Sequence, residues 1–470
     1  MTIRSILTFI LIMATAHIAQ AQWTSAHANV GNTGFVKVDT IAASKPVGYA
    51  NVGPVAEGAN PVIDAGGTVY IGNTLGELIA LHPDGTPFWK RQLYPFQGGI
   101  YASPVIGADG SIYVVSHATV QDNNSIPHSY SYLHKFTPGG GWLGWMSFPL
   151  QNAALPDWVN GGQTNAPPNI WRFNGTEVIM VPIWYRVFNN VELRLVAFST
   201  NLAVLAVQPV TTLLSGDYTG DAEAYCYFPL ILPFCIRYSE PFVGNFDWPT
   251  PGVAIWENSG GSPWVWLADG KRATVAYKFD LATGFFEVYR FTDNHDRLSS
   301  PPMVLDNVVA AVGTSDGRLK FERTDVYIPG IGNITAAPTR LFDGRMVVIA
   351  RSGLMSVVSG VGSGISRTGT RVTLQSQLNG GSIASAAASC THLFVASENE
   401  LVTFDLRTML PIVRVPWTGG GAYAPVIGPS GSVYGMTSFG LFVFPPPPPP
   451  RFGVGLVGTA CDSVPSFGGL

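Results

Sequence analysis

Charged residues are scarce in this chain. Asp, Glu, Lys and Arg make up 12% of its 470 residues, whereas average soluble domains contain roughly 25%. The formal net charge is −4, from 26 basic and 30 acidic residues. This distribution contains no basic patch of the kind that binds nucleic acid. We therefore expect no nucleic-acid partner.

The chain also lacks an apolar run long enough to cross a bilayer. Arg4 precedes the apolar run Ile6–Ala14, and the small-residue sequence Ala19–Ala21 follows it. This order is typical of a secretory signal peptide that is cleaved after Ala21, and a membrane span would need roughly 20 apolar residues. We expect a secreted protein, extracellular or, in a Gram-negative host, periplasmic, with no transmembrane segment.

Residues for catalysis or metal binding are sparse as well. Of the 8 histidines, His117, His128 and His134 fall near one insertion but lack the spacing and the cysteine partners of a zinc site. The glycine-rich sequence Gly360–Gly364 is interpreted as a flexible turn rather than a phosphate-binding loop. No nucleophile elbow or zinc-protease motif occurs. We expect no catalytic residue and no metal ligand.

Only four cysteines are present. An even number in an exported protein favours disulfides, although four cysteines allow three connectivities. We favour Cys226 with Cys235, because the segment between them can close as a local loop, and Cys390 with Cys461 by elimination. Buried free thiols are the alternative.

Three sequons are candidate glycosylation sites, at Asn123, Asn174 and Asn333. They matter only if the host glycosylates exported proteins.

Glycine, proline and apolar residues are abundant and follow a repeat. Three segments align without gaps: Pro61–Gly72 (PVIDAGGTVYIG), Pro104–Val115 (PVIGADGSIYVV) and Pro425–Met436 (PVIGPSGSVYGM). Each has a short apolar strand, a turn rich in Gly with Asp or Ser, and a second strand, which is the pattern of a β-hairpin.

The first copy extends to a complete sheet. It continues with an alternating strand at Glu77–Leu81, a turn at Asp84-Gly85 and a last strand at Phe88–Leu93. A single four-stranded sheet cannot cover both of its faces, so it must stack on copies of itself. Weaker copies begin at Pro167, Pro241, Pro301, Ala336 and Ser385. The sequence thus predicts an all-β propeller of four-stranded antiparallel blades, with eight blades favoured and seven as the alternative.

The last copy stops early, at a run of six prolines, Pro445–Pro450. Proline cannot donate to a sheet ladder, so the last blade needs an outer strand from elsewhere. Pro46–Val52 lies just before the first copy and is predicted to close the ring, which removes an open edge. The predicted domains are a signal peptide at 1–21, the propeller at 22–444 and a proline run with a tail at 445–470. The tail is either a spacer or a passive end tied back through Cys461.

A family resemblance follows from these residues. Gly67–Lys90 (GTVYIGNTLGELIALHPDGTPFWK) resembles the repeat of the pyrroloquinoline-quinone-like β-propeller superfamily, also called quinoprotein alcohol dehydrogenase-like. Gln22–Phe35 (QWTSAHANVGNTGF) looks like the lead-in of such proteins. The resemblance implies a propeller. In its enzymes, a quinone and a calcium ion sit over the central channel with a catalytic Asp, often beside two adjacent disulfide-bonded cysteines. This sequence has no adjacent cysteine pair.

The resemblance also suggests where ligands would bind. Trp89, Trp142 and Trp417 match late-blade tryptophans and are interpreted as blade-packing residues rather than as ligand platforms. Related repeats often carry a calcium loop between their first two strands, but Asn245–Pro249 and Arg172–Gly175 contain too few oxygen side chains for one. A more acidic loop is interpreted as solvated; its carboxylates belong to Asp217, Asp221 and Glu223.

The sequence is compatible with two functions. The favoured one is a secreted, non-catalytic, monomeric binding or scaffold module for a protein or glycan partner, with no cofactor. The alternative is a degenerate quinoprotein oxidoreductase with pyrroloquinoline quinone and calcium, or another enzyme acting at the channel mouth. Fold alone does not choose between them.

Overall fold

The structure is a computed structural model, and its named elements are all β-strands. It describes residues 23–93, 98–121, 127–148, 162–164, 166–187, 190–213, 222–227, 234–239, 252–256, 262–268, 273–292, 300–304, 310–321, 325–359, 371–448 and 461. Within these ranges no helix is long and apolar enough to span a membrane. The predicted signal peptide lies outside them.

The strands of the propeller form eight antiparallel sheets, or blades, in chain order, each built on four strands; blade 3 has a fifth. Blade 1 contains β2 (Val62–Ile63), β3 (Val69–Gly72), β4 (Glu77–Leu81) and β5 (Pro87–Gln92). Blade 2 contains β6 (Val105–Ile106), β7 (Ile112–Gln121), β8 (Pro127–Phe136) and β9 (Trp142–Ser147). Blade 3 contains β11 (Asn169–Phe173), β12 (Thr176–Val187), β13 (Asn190–Ser199) and β14 (Val204–Leu213), and β10 (Gly162–Gln163) also pairs with β12. Blade 4 contains β17 (Gly252–Trp256), β18 (Trp264–Ala268), β19 (Ala273–Asp280) and β20 (Gly284–Thr292).

The remaining blades follow the same order. Blade 5 contains β21 (Met303–Val304), β22 (Ala310–Gly313), β23 (Arg318–Lys320) and β24 (Asp325–Tyr327). Blade 6 contains β25 (Thr339–Arg340), β26 (Met346–Ile349), β27 (Leu354–Ser359) and β28 (Arg371–Gln377). Blade 7 contains β29 (Ala387–Ala388), β30 (His392–Ala396), β31 (Glu400–Asp405) and β32 (Pro411–Pro416). Blade 8 contains β33 (Val426–Ile427), β34 (Val433–Thr437), β35 (Gly440–Phe444) and β1 (Gly48–Ala50). The prediction of eight blades is confirmed.

Apolar side chains are buried on both faces of the sheets, so the core of the protein lies between neighbouring blades. On β3, Val69 and Ile71 belong to the apolar cluster shared with blade 8, whereas Tyr70 belongs to the cluster shared with blade 2. Successive side chains on a strand point to opposite faces. The near-continuous apolar strands of the sequence therefore fill two interfaces at once.

The ring closes as the sequence predicts. β1 pairs antiparallel with β35, with Gly48 opposite Val443 and Ala50 opposite Leu441. A Cβ on Gly48 would lie 2.3 Å from the carbonyl oxygen of Asp84 in blade 1, so only glycine fits where the first and last blades meet. The hydroxyl of Tyr434 in blade 8 donates to the carbonyl of Pro83 in blade 1 at 2.9 Å.

Two insertions, at 116–132 and at 211–240, lengthen the spacing of the repeat. The polar stretch 116–132 mostly continues the paired strands β7 and β8, because its residues alternate and include β-branched and aromatic types. The second insertion forms a separate two-stranded sheet of β15 (Ala222–Tyr227) and β16 (Phe234–Ser239).

The four cysteines fall in two places. Cys226 lies directly opposite Cys235 in the sheet of β15 and β16, and the side chains of both lie outside the described residues. A disulfide joins Cys390 to Cys461, with Cα atoms 5.1 Å apart.

Candidate functional site

The innermost strand of every blade has one edge free to face the propeller axis. In the enzymes of the family that the sequence resembles, the cofactor lies over this axis. The residues on the axis of this chain therefore determine whether a cofactor could bind there. Here the axis contains the chain's own residues Trp23–Thr40, which we call the axial segment. It precedes β1 and contacts one blade after another.

Backbone hydrogen bonds fix the axial segment to six of the eight blades, at 2.7 to 3.0 Å. The donors are the inner-strand amides of Ile63, Ile106, Ile255, Val304, Arg340 and Ala388. The acceptors, in the same order, are the carbonyls of Trp23, Thr24, Val30, Gly31, Thr33 and Gly34. The order of the acceptors along the chain follows the order of blades 1, 2, 4, 5, 6 and 7 around the ring. The segment therefore satisfies inner-strand donors that a free channel would leave to water or ligand.

Two asparagine side chains add further hydrogen bonds, and one of them brings in blade 3. The Asn169 side-chain amide of blade 3 donates to the carbonyls of Val30 and Val253, both at 2.8 Å. The amide of Asn32 donates to the carbonyls of Val253 and Pro302, both at 3.0 Å. Blades 3, 4 and 5 thus meet at the middle of the axial segment.

The segment is folded back on itself by unusual backbone conformations. Ala28 has φ 76° and Asn32 has φ 54°. A left-handed conformation costs a residue with a Cβ roughly 1–2 kcal/mol, and asparagine tolerates it better than alanine. The amides of Gly34 and Asn29 both donate to the carbonyl of His27 at 3.0 Å. Such strain persists only where the surroundings determine the conformation, and Ala28 is completely buried.

The side chains of residues 23–36 of the segment carry no acidic or basic group other than His27, and they are buried or half-buried. Trp23 is 0% exposed and packs in the apolar cluster shared by blades 7, 8 and 1. Burial lowers the pKa of His27 to about 4, so its imidazole is uncharged at neutral pH. Trp23 Nε1, Ser25 Oγ and His27 Nδ1 have no hydrogen-bond partner among the described residues.

These residues do not fit a quinone with calcium. Calcium takes 6–8 oxygen ligands, several of them carboxylates. Among the described residues no group of three His, Cys, Asp or Glu side chains converges to hold a metal ion. The axial segment itself has one carboxylate, on Asp39, where it leaves the axis. Its backbone also occupies the inner edges that would line a cofactor site.

Two of the three tryptophans pack between blades, as interpreted. Trp89 Nε1 donates to the carbonyl of Pro138 in blade 2 at 2.8 Å, and a Cβ on Gly140 would lie 2.7 Å from its ring. Trp417 follows the last strand of blade 7 and packs against blade 8, where a Cβ on Gly435 would lie 2.7 Å from its ring; its Nε1 donates to the carbonyl of Ser397 in its own blade at 2.9 Å. Trp142 differs: it is 50% exposed on outer strand β9.

The described histidines of blade 2 are not brought together. His117 lies 3.3 Å from Ser131 Oγ on the face toward blade 3, and His134 lies 2.7 Å from Ser116 Oγ on the face toward blade 1. Burial lowers the pKa of both to about 4. Each is thus a neutral core histidine. The side chain of His128 lies outside the described residues.

The other predicted positions are distributed as follows. Asn174 is exposed in the turn between β11 and β12, with φ 48°, whereas Asn333 is half-buried and its Oδ1 is enclosed. Arg172–Gly175 spans that same turn. Glu223 lies on β15, without a described side chain. The positions outside the described residues are Asn123, Asp217, Asp221, Asn245–Pro249 and Gly360–Gly364.

A second surface stands out on the outside of the ring. The outer strands of blades 2, 3 and 4, with one adjoining turn, carry nine exposed large apolar side chains, which we call the apolar rim: Trp142, Leu143, Trp145, Val204, Leu205, Val207, Leu281, Phe286 and Val288. Phe286 is the most exposed of them, at 70%.

The apolar rim is nearly free of charge. β9 and β14 contain no charged residue, and on β20 Glu287 and Arg290 neutralise each other at 2.8 Å. Arg290 also donates to the carbonyl of Val210 at 2.8 Å, which joins the outer strands of blades 3 and 4. By contrast, β5 of blade 1 carries Lys90 and Arg91.

Comparisons with known proteins bear on the fold. No protein-family model and no curated protein sequence matches the chain. Sqt1 from Saccharomyces cerevisiae is structurally similar at 10% identity, over 89% of this chain and 100% of that chain, with a TM-score of 0.48. A europium-containing methanol dehydrogenase is similar at 12% identity, over 88% and 89%, with a TM-score of 0.45.

The quinohemoprotein alcohol dehydrogenase from Comamonas testosteroni is similar at 11% identity, over 95% of this chain and 84% of that chain, with a TM-score of 0.43. A likeness of this degree concerns the fold alone. A methanol dehydrogenase and a quinohemoprotein alcohol dehydrogenase are thus among the solved structures to which this chain is similar in fold.

Proposed function

We propose that this protein is an exported, non-catalytic β-propeller that acts as a monomeric binding or scaffold module for a protein or glycan partner. The observation that carries this proposal is the filled axis. Six inner-strand amides already have acceptors in the axial segment. Cofactor chemistry on the axis would need these bonds to break and a set of carboxylates that the described residues do not bring together.

Binding is therefore assigned to the outside of the ring, at the apolar rim. Monomeric proteins rarely expose large contiguous apolar patches unless they bind something there. Because the rim is almost uncharged, the complementary surface is apolar as well, which favours a protein partner. Exposed tryptophans such as Trp142 also stack on sugar rings, and a glycan partner would use them.

Photo-cross-linking in the native host tests this assignment. A photoreactive phenylalanine analogue replaces Phe286 of the apolar rim. The same analogue at Ile412, 48% exposed on outer strand β32 of blade 7, is the matched control. We expect a discrete protein adduct from position 286 and none from position 412. Adducts of equal yield from both positions, or from neither, contradict the assignment, and an adduct that contains carbohydrate makes the partner a glycan.

The oxidoreductase alternative has its own test. The folded protein is incubated with pyrroloquinoline quinone and calcium, passed through a desalting column and assayed with alcohols or sugars and a redox dye. We expect no retained quinone absorbance and no turnover. Stoichiometric quinone with substrate-dependent dye reduction would replace the binding function with an enzymatic one.

A further inference from the structure

The axial segment leaves the axis between blades 7 and 8. Phe35 bridges in parallel to Ala388 at the end of β29. The amide of Val36 then donates to the carbonyl of Ala388 at 3.0 Å, and the amide of Cys390 donates to the carbonyl of Val38 at 2.8 Å. Residues 35–38 thus form a short extension of blade 7 at its inner turn.

Hydroxyl groups strengthen this attachment next to the cysteine. The amide of Thr40 donates to Thr391 Oγ1, and Thr391 Oγ1 donates to the carbonyl of Thr40, both at 3.0 Å. Thr40 Oγ1 also lies 2.8 Å from Ser389 Oγ and 3.1 Å from His392 Nδ1. Cys390 therefore lies within the turn that holds the segment.

The other side of the exit is closed by blade 8 and by the start of the tail. Gly431 has φ 85°, and a Cβ there would lie 2.2 Å from the carbonyl oxygen of Asp39 and 2.8 Å from Cδ of Pro447. The segment, the inner turn of blade 8 and the proline run are thus in contact at one point. On the side of blade 7, Cys461 of the tail is bonded to Cys390.

The chain after blade 8 is therefore fixed on both sides of the exit, at Pro447 and at Cys461. We propose that the disulfide between Cys390 and Cys461 is a redox-sensitive tether, which holds residues 35–40 of the axial segment on the inner turn of blade 7 and whose reduction lets these residues open. The function of the disulfide is then to control the exit of the axial segment, in addition to stabilising the tail.

The chemistry is thiol–disulfide exchange with an external dithiol. Its thiolate attacks Sγ of Cys461, which is half-buried, rather than Cys390, which is 4% exposed. The Cys390–Cys461 bond breaks, Cys390 leaves as a thiolate and takes up a proton, and a mixed disulfide forms on Cys461. The second thiol of the reductant closes its own disulfide and releases Cys461 as a thiol. Two electrons pass from the dithiol to the protein.

Trypsin reports the position of the segment. Lys37 has an exposed side chain but lies between the buried residues Val36 and Val38, whose backbones are hydrogen-bonded to blade 7. Cleavage after Lys37 requires those bonds to open. Arg407, exposed in the turn between β31 and β32, is a reference site away from the segment. The full chain is used in a Cys226→Ser, Cys235→Ser background, so that the reductant acts on one cysteine pair.

We expect dithiothreitol to raise the rate of cleavage after Lys37 by about tenfold or more, since proteolysis follows the population of the open form, with no change after Arg407. A Cys461→Ser variant is expected to be cut rapidly with or without reductant.

If thiol titration shows both cysteines reduced and cleavage after Lys37 is unchanged, the proposed tether is wrong. An equal increase at both sites also overturns it, because reduction then loosens the whole fold. Should the serine variant fail to fold, reduction of the folded protein decides alone.

Discussion

The inner strands of this propeller have their free edges covered on the axis, whereas the outer strands on the rim are exposed to solvent. On the axis, the inner strands face the chain's own amino-terminal residues, and the amides of six blades have backbone acceptors. On the rim of blades 2, 3 and 4, the outer strands end in solvent with apolar side chains and almost no charge. The closed inner edges make the axis part of the packed structure, whereas the exposed outer strands are where we propose that a partner binds.

A pair of tryptophan substitutions tests this contrast with the largest expected effect. Trp23→Ala removes a fully buried side chain from the cluster that joins blades 7, 8 and 1, which costs about 3–5 kcal/mol. Trp142→Ala removes a half-exposed side chain from the rim and is expected to cost less than about 1 kcal/mol. Chemical denaturation measures both. Equal losses would mean that the axis is not a core.

Acid is expected to lower the free energy of unfolding through the buried histidines, with no such effect from the rim. His27, His117 and His134 have pKa values of about 4 in the folded protein, against about 6.5 in the unfolded chain. The unfolded state therefore binds more protons between these values, and stability falls as the pH drops from about 6.5 to 4. Each histidine contributes up to about 3 kcal/mol to this loss.

The free energy of unfolding, measured against pH, checks this expectation. His134→Gln is expected to reduce the slope between pH 4 and 6.5 by at most about 1.4 kcal/mol per pH unit, the value for one proton. A slope that does not differ from that of the native sequence would show that His134 is not a buried neutral group.

Much of the ring follows from local sequence. The hairpin at Pro61–Gly72 recurs because a glycine turn and two apolar strands are encoded within a dozen residues, and Pro46–Val52 follows from the need to close an edge. The axial segment has no such local signal. Asn32 bonds to carbonyls 221 and 270 residues away, and only the assembled ring brings them together. The sequence marked Gln22–Phe35 only as a family lead-in, which did not predict a buried loop on the axis.

Asn32 offers a smaller and more specific test of the axis. Asn32→Gly keeps the positive φ but removes two hydrogen bonds to blades 4 and 5, at a cost of about 1–3 kcal/mol. Asn32→Ala loses the same bonds and adds roughly 1 kcal/mol of backbone strain. Thermal unfolding should rank the native sequence above the glycine variant and the glycine variant above the alanine variant. The reverse order of the two variants would contradict the described conformation.

The rim should show the smallest effect on stability. Phe286→Ser places a hydroxyl where a phenyl ring is 70% exposed, so the free energy of unfolding is expected to change by less than about 0.5 kcal/mol. Partner capture, detected by the cross-linking assay from the analogue placed at Trp142, should nevertheless fall. A folded variant with undiminished adduct yield would place the partner elsewhere.

Hydrogen exchange of the inner strands tests the filled axis most directly. The reporters are the amides of Ile63, Ile106, Ile255, Val304, Arg340 and Ala388, each donating to the axial segment. If the segment occupies the axis, these amides exchange as slowly as those of the central strands β3 and β34, because they open only with the ring. If they exchange within seconds, as unpaired strand edges do, the axis is open and the assignment of binding to the rim loses its basis.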